Sequence, residues 1–234
     1  MQQKIKNIEV SIKNKTIFQP EILDLLKVLF SVGFFDESQL IGSWVMPVYK
    51  EAFGIHYVLR TMDIDFAVKF ALKDKEQKVD IEKIITELGY IPVVMHSGIR
   101  SFTRENFTLE FFIHRKGSSN DQIFLIKKWN ITAIPLPFMD ILLNFPFTAD
   151  FGSFKIKVPL PEAFFVHKMI SAQRRINENK KDKDLEQCAI IAPDLEHSRL
   201  HTVLSSLKFS KKTQKALKIS CDEIKFPPQM LGLQ

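Results

Sequence analysis

Apolar residues fall at helical spacing in PEILDLLKVLFSV (20–32), after Pro20 and before Gly33, so an amphipathic helix is expected there. Gln39 to Ser43 then reads as a short buried strand that breaks at Gly42, and 44–53 as a short helix or a turn. Residues 57–71 (YVLRTMDIDFAVKFA) read as one long strand. VDIEKIITEL (79–88) predicts a second helix with Gly89 as its stop. The middle is strand-rich: 90–104, 107–114 and 122–134 are punctuated by Gly98, by Glu105-Asn106 and by the polar turn KGSSN (116–120). A short apolar segment, FMDILLNF, and an expected hairpin, FTADFGSFKIKV, follow.

After Pro161 the period changes from two to that of a helix. Helices are expected over 162–177, 182–192, 194–207 and 210–220. Strands first and helices afterwards predict an α+β protein with an α/β part over 1–158 and a helical part over 159–234. Alternation along 60–70 puts Ile64, Phe66, Val68 and Phe70 on a core face and turns Asp63 and Asp65 the other way together, with Cα atoms roughly 7 Å apart. Two carboxylates on one face repel, and a divalent cation between them is the economical remedy. In 107–114, Leu109, Phe111 and Ile113 share one face, while Glu110 lies on the other with Phe112. A Glu in so apolar a strand is costly to bury unless it is paired or metal-bound. If the two strands are neighbours, Asp63, Asp65 and Glu110 form a set able to hold two metal ions for phosphoryl or nucleotidyl transfer, with Glu110 as ligand or general base.

Gly42-Ser43 could meet a phosphate through a bare backbone and a hydroxyl, helped by the free N–H groups of a helix starting at Trp44. Phe164, Lys168, Ser171 and Arg175 recur at one helix face in 162–177, so the two cations could project together toward a phosphate chain.

Composition narrows the class. The 234 residues are 45% hydrophobic and 26% charged, with 8 Gly, 11 Pro and 2 Cys, which excludes a disordered chain, a collagen and a disulfide scaffold. The 21 Phe against 3 Tyr predict a core filled largely by Phe. No apolar run approaches a membrane span, the N-terminus lacks a signal-peptide core, and Cys188 and Cys221 make no framework, so a cytoplasmic protein without a membrane partner is expected. The net charge of +6 is concentrated toward the C-terminus. Lys168, Arg174, Arg175, Lys180, Lys181 and Lys183 crowd 167–183, and seven further cations occupy 199–225. Such a surface suits nucleotide phosphates or RNA, or is a solvated helix face. His197 and His201 are read as a surface pair and Cys188 as a packed thiol. No Walker A, G-x-G-x-x-G or G-x-S-x-G motif is present.

Gly42-Ser43, then Asp63-Ile-Asp65, then Glu110 resembles the nucleotidyltransferase superfamily with the DNA polymerase β-like fold. Gly42-Ser-Trp-Val-Met-Pro-Val-Tyr49 with Arg60-Thr-Met-Asp-Ile-Asp-Phe66 is most similar to bacterial nucleotidyltransferases with a GSW…RTxDIDF signature. Pro161 to Lys168, Arg174-Arg175 and Lys183-Asp184-Leu185 are more distantly similar to AbiEii-type toxins, whose partner is an antitoxin protein. The resemblance covers about residues 40–190 and implies a mixed-sheet core with a helical subdomain. It implies a Mg²⁺-dependent enzyme moving an NMP from an NTP to a hydroxyl, with RNA or a tRNA end as a possible acceptor. In that scheme Asp63, Asp65 and Glu110 bind two metal ions, Gly42 and Ser43 bind the β/γ-phosphates, Lys168 reaches the triphosphate, and Lys183 and Asp184 order the helical part beside it. The long spacing from Ser43 to Asp63 departs from the pattern, so 50–59 is expected to loop out; Glu110 stands where many members have Asp. An idle nucleotide- or RNA-binding module and a small-molecule transferase of the antibiotic-modifying kind are the alternatives.

Overall fold

A computed structural model describes residues 8–59, 61–69, 79–95, 98–115 and 123–233. Arg60, Phe70 and the KGSSN turn lie outside the described residues. The fold is α+β. Its larger sheet is built around β3 (Asp63–Val68) and β6 (Phe107–His114), which run parallel. The short strand β2 (Ser38–Ile41) lies antiparallel on the free edge of β3. On the other edge of β6, β5 (Gly98–Arg104) pairs along its first residues and β8 (Ile131–Leu136) along its last. The outer strands β4 (Ile91–Met95) and β7 (Phe124–Ile126) complete the sheet. A smaller sheet joins the hairpin β9 (Pro146–Asp150) and β10 (Lys155–Pro159) to β1 (Glu9–Ser11), a three-residue strand that periodicity does not reveal.

β3 is much shorter than the strand expected over 57–71. A strand needs a partner for its backbone groups. β2 ends at Gly42, where the chain turns into a helix, and pairs only with Asp65 to Val68; β6 reaches only Asp63 to Ala67. Among the described residues no strand pairs with Val58, which is 71% exposed. The expected strand 122–134 is divided into β7 and β8 by a turn in which Asn130 adopts φ 48°. That turn brings Trp129 into the core, edge-on to Phe34 at 5.5 Å.

The helices α1 (Pro20–Ser31) and α3 (Ile81–Glu87) follow their sequence pattern closely. α2 (Val45–Phe53) continues directly from a 3-10 turn at Gly42–Trp44. This corrects the expected loop at 50–59, whose first four residues finish α2 before an extended connection leads to β3. FMDILLNF contributes the short helix α4 (Met139–Asn144). α5 (Pro161–Ala172) ends five residues earlier than expected, and α6 (Glu178–Ile191) begins four residues earlier, because the Asn177 side chain accepts from Lys180 N and caps it. α7 (His197–Ser205) and α8 (Lys211–Ile224) are capped likewise by Glu196 and Ser210. Among the described residues no helix is long and apolar enough to cross a membrane.

Phe residues fill much of the core, as the composition suggests: Phe34 meets Phe35, Phe66, Phe111 and Trp129 within 6 Å. α5 is not the amphipathic helix its cations suggest. Every residue of it except Ser171 is buried, so it is a core helix carrying Glu162, His167 and Lys168 inside. Glu162 earns its burial by accepting from Arg199 Nε and Glu196 N, both at 3.0 Å, which ties α5 to α7.

Tyr49 on α2 donates its hydroxyl to Pro159 O at 2.7 Å, at the junction of β10 and α5. This bond joins α2, which follows the turn containing Ser43, to α5, which carries Lys168. Tyr49→Phe should therefore lower unfolding free energy by about 1–3 kcal/mol, since a buried carbonyl loses its donor. Urea unfolding reads this directly; an unchanged midpoint would show that Pro159 O finds another donor.

Candidate active site

The β3–β6 register sets Asp65 opposite Glu110 and Asp63 opposite Thr108. Neighbouring strands lie about 4.8 Å apart, so Asp65 and Glu110 are adjacent on one sheet face. Phe66 and Phe111, one residue on, stack on the opposite face at 5.9 Å. Asp63, Asp65 and Glu110 all line one open cavity of about 270 Å³. Burial, then Glu110 and Asp63, push the Asp65 carboxyl up to about 7, against the pull of Lys168 and Lys183. That is the electrostatic cost of gathering three carboxylates.

Gly42 and Ser43 reach the same cavity from the end of β2. Gly42 has φ +67°, and a Cβ there would lie 2.2 Å from Asp65 Oδ2. The glycine thus serves the carboxylate as well as any ligand: its bare backbone is what lets Asp65 occupy its place. Ser43 lies within the turn into α2, and its Oγ accepts from Gln187 Nε2 at 2.9 Å.

The opposite wall comes from α5 and α6. Phe164, His167 and Lys168 face the cavity from α5, and Lys180, Lys183 and Asp184 from α6. Both sets have i, i+3, i+4 spacing and hence share a helix face. Lys168 Nζ donates to Asp184 Oδ1, and Arg175 Nε donates to Asp184 Oδ2 at 2.8 Å. Burial would raise the Asp184 carboxyl, but Lys168 and Arg175 outweigh it and hold it below the usual carboxylate range. Arg175 departs from the expected geometry. It lies beyond the end of α5, so it does not extend the Lys168 face along a helix; it converges with Lys168 through the shared carboxylate instead. Partial burial, then Lys168, lower the Lys183 ammonium, while Asp63, Asp184 and Asp65 oppose the shift.

All nine residues singled out from the sequence border this cavity. Sequence reasoning missed His167, Lys180 and Gln187. Burial, then Lys168, push the His167 imidazole down to about 3, so it is neutral at physiological pH. The α6 spacing Lys180, Lys183, Asp184, Gln187 was the available signal for two of them. His197 and His201 are exposed, and Cys188 and Cys221 are buried thiols.

No group of three or more His, Cys, Asp or Glu among the described residues is gathered tightly enough to hold an ion by protein ligands alone. The donor chemistry nevertheless fits a hard divalent cation that takes one or two carboxylates and completes its shell with water and phosphate oxygens. The convergence of Asp63, Asp65 and Glu110 on one cavity, with Asp65 and Glu110 opposite one another in the sheet, is the observation that favours it.

A sequence model described as nucleotidyltransferase matches residues 21–210, and the chain belongs to that family. No curated protein matches it in sequence. An antigenic nucleotidyltransferase-like protein from Paracoccidioides brasiliensis is similar in structure, with a TM-score of 0.47 and 14% identity over 90% of this chain and 94% of that one.

Two predictions follow from the carboxylates. Asp65 keeps its proton to a higher pH folded than unfolded, so the folded chain holds more protons between the ordinary value of 3.8 and about 7. Stability of the metal-free protein should fall as pH rises through that window. Asp65→Asn should remove that slope and exceed wild type by roughly 2–4 kcal/mol at about pH 8 in urea unfolding; equal slopes would sink the account. Gly42→Ala should cost about 1–2 kcal/mol for its left-handed backbone alone. It should also displace Asp65, read as a changed Asp65 titration by carboxyl NMR.

Proposed function

We propose that this protein is a Mg²⁺-dependent nucleotidyltransferase that moves an NMP from an NTP to a hydroxyl, with RNA as the acceptor. The observation that carries the reading is the meeting of Asp63, Asp65 and Glu110 with Ser43 and Lys183 around one cavity, from four elements distant in sequence. Asp63 and Asp65 would hold the divalent cation, with Glu110 completing the set. When bound, the ion would neutralise phosphate charge and lower the pKa of the acceptor hydroxyl.

The chain's own groups supply the rest. Ser43 and the bare backbone of Gly42, in the turn that leads into α2, bind the terminal phosphates. Lys183 faces the carboxylates from α6 and offsets triphosphate charge, while Lys168 and Arg175, held by Asp184, keep that wall positive. Glu110 is the base that accepts the acceptor's proton. The acceptor oxygen bonds to the α-phosphorus, the bond from that phosphorus to the bridging oxygen breaks, and pyrophosphate leaves. Residues 1–158 thus supply the ion-binding wall and 159–234 the cationic wall.

The RNA assignment rests on charge. Lys211, Lys215 and Lys218 recur at i, i+4, i+7 along α8, and with Lys208 and Lys212 they project into solvent. Gln173 joins the other end of α8 to the α5 terminus by donating to Ser220 Oγ at 3.1 Å.

Incubation with each α-³²P-NTP, Mg²⁺, total RNA and aminoglycosides tests the reading. Label should appear on RNA and fall about a hundredfold or more in Asp63→Ala/Asp65→Ala. Label on aminoglycosides alone would transfer the assignment to a small-molecule enzyme. Nucleotide binding without transfer to any acceptor would leave an idle module.

A further inference from the structure

We infer that Gln187 is a positioning residue that holds Ser43 as a hydrogen-bond donor to the bound triphosphate. The inference deepens the proposed function and rests on Ser43 being a phosphate-binding group.

Gln187 is fully buried on α6 and lies 144 residues from Ser43 in sequence. Its Nε2 donates to Ser43 Oγ at 2.9 Å. An amide nitrogen only donates, so Ser43 meets it with a lone pair. A hydroxyl has a single proton, and that of Ser43 is left for the cavity that Ser43 lines. A phosphate oxygen there accepts and never donates, so this is the orientation a nucleotide requires. Were the amide reversed, its carbonyl would take the serine proton and the hydroxyl would present only lone pairs to an anion.

The placement also couples two parts of the site. Gln187 follows Lys183 and Asp184 by four and three residues, on the same face of α6. One docking of α6 therefore sets the cation wall and the serine hydroxyl together. Among the described residues Gln187 Oε1 has no hydrogen-bond partner, so the amide's recorded side-chain hydrogen bond is the one its Nε2 makes to Ser43.

The test is calorimetric binding of ATP, GTP, CTP and UTP in turn, each with Mg²⁺, to the full chain. Variants are Gln187→Met, which keeps the volume without the donor, and Gln187→Asn, which keeps an amide one methylene short. Each is made in wild type and in Ser43→Ala, with thermal melts to verify folding. Loss of one oriented hydrogen bond should raise Kd about five- to tenfold in the wild-type background. In Ser43→Ala neither substitution should change Kd by more than about twofold, because the group that Gln187 orients is gone. Equal weakening in both backgrounds would mean that Gln187 acts through α6 packing, and unchanged Kd in both variants would mean that Ser43 needs no orienting; either result overturns the inference. Should wild type bind none of the four nucleotides, the functional reading falls and this inference with it, a failure visible before any substitution is compared.

Discussion

The register between β3 and β6 is the constraint on which the site depends. Side chains alternate faces along a strand, so the same pairing that stacks Phe66 on Phe111 beneath the sheet brings Asp65 beside Glu110 above it. A slip of one residue would bury the carboxylates and expose the aromatic rings. The apolar face, worth about 1.5–3 kcal/mol for each large side chain buried, therefore holds together acidic groups that repel one another. The placing of Asp65 beside Glu110 thus comes with the hydrophobic packing on the other side of the sheet.

That repulsion is balanced across the cavity. Asp63, Asp65 and Glu110 form one wall, and Lys168, Arg175, Lys180 and Lys183 face them. Asp184 spends part of this positive charge, because a lysine as buried as Lys168 is stable only with a partner. Lys183 is half-buried, and burial and Lys168 lower its ammonium while Asp63, Asp184 and Asp65 pull the other way. The proposed ligand, a metal–nucleotide complex, is both polyanionic and cation-bound and so would meet both walls.

Short-range features were readable along the chain. The Asp63/Asp65 alternation, the lone Glu110 and the Gly42-Ser43 break each follow from periods of two residues or from one backbone rule. Helix positions followed from the 3.6-residue period, although their ends moved where caps such as Asn177 decided them. The strand over 57–71 was overextended because propensity alone cannot reveal where a partner strand stops. The three-residue strand β1 carries too few positions for a period to register. Arg175 was assigned to the Lys168 face by extending a helix past its real end, and it regained its place in the site only through Asp184.

The chain by itself determined which faces are apolar, where the acidic pair lies, and that a basic helical part follows a strand-rich part, because these are properties of neighbours within a few residues. Only the tertiary structure decided that Glu110 stands beside Asp65, that α5 is a core helix with its lysine turned onto Asp184, and that Gln187 touches Ser43. Such contacts join residues up to 144 positions apart. They arise from the simultaneous packing of several elements, which no local pattern encodes.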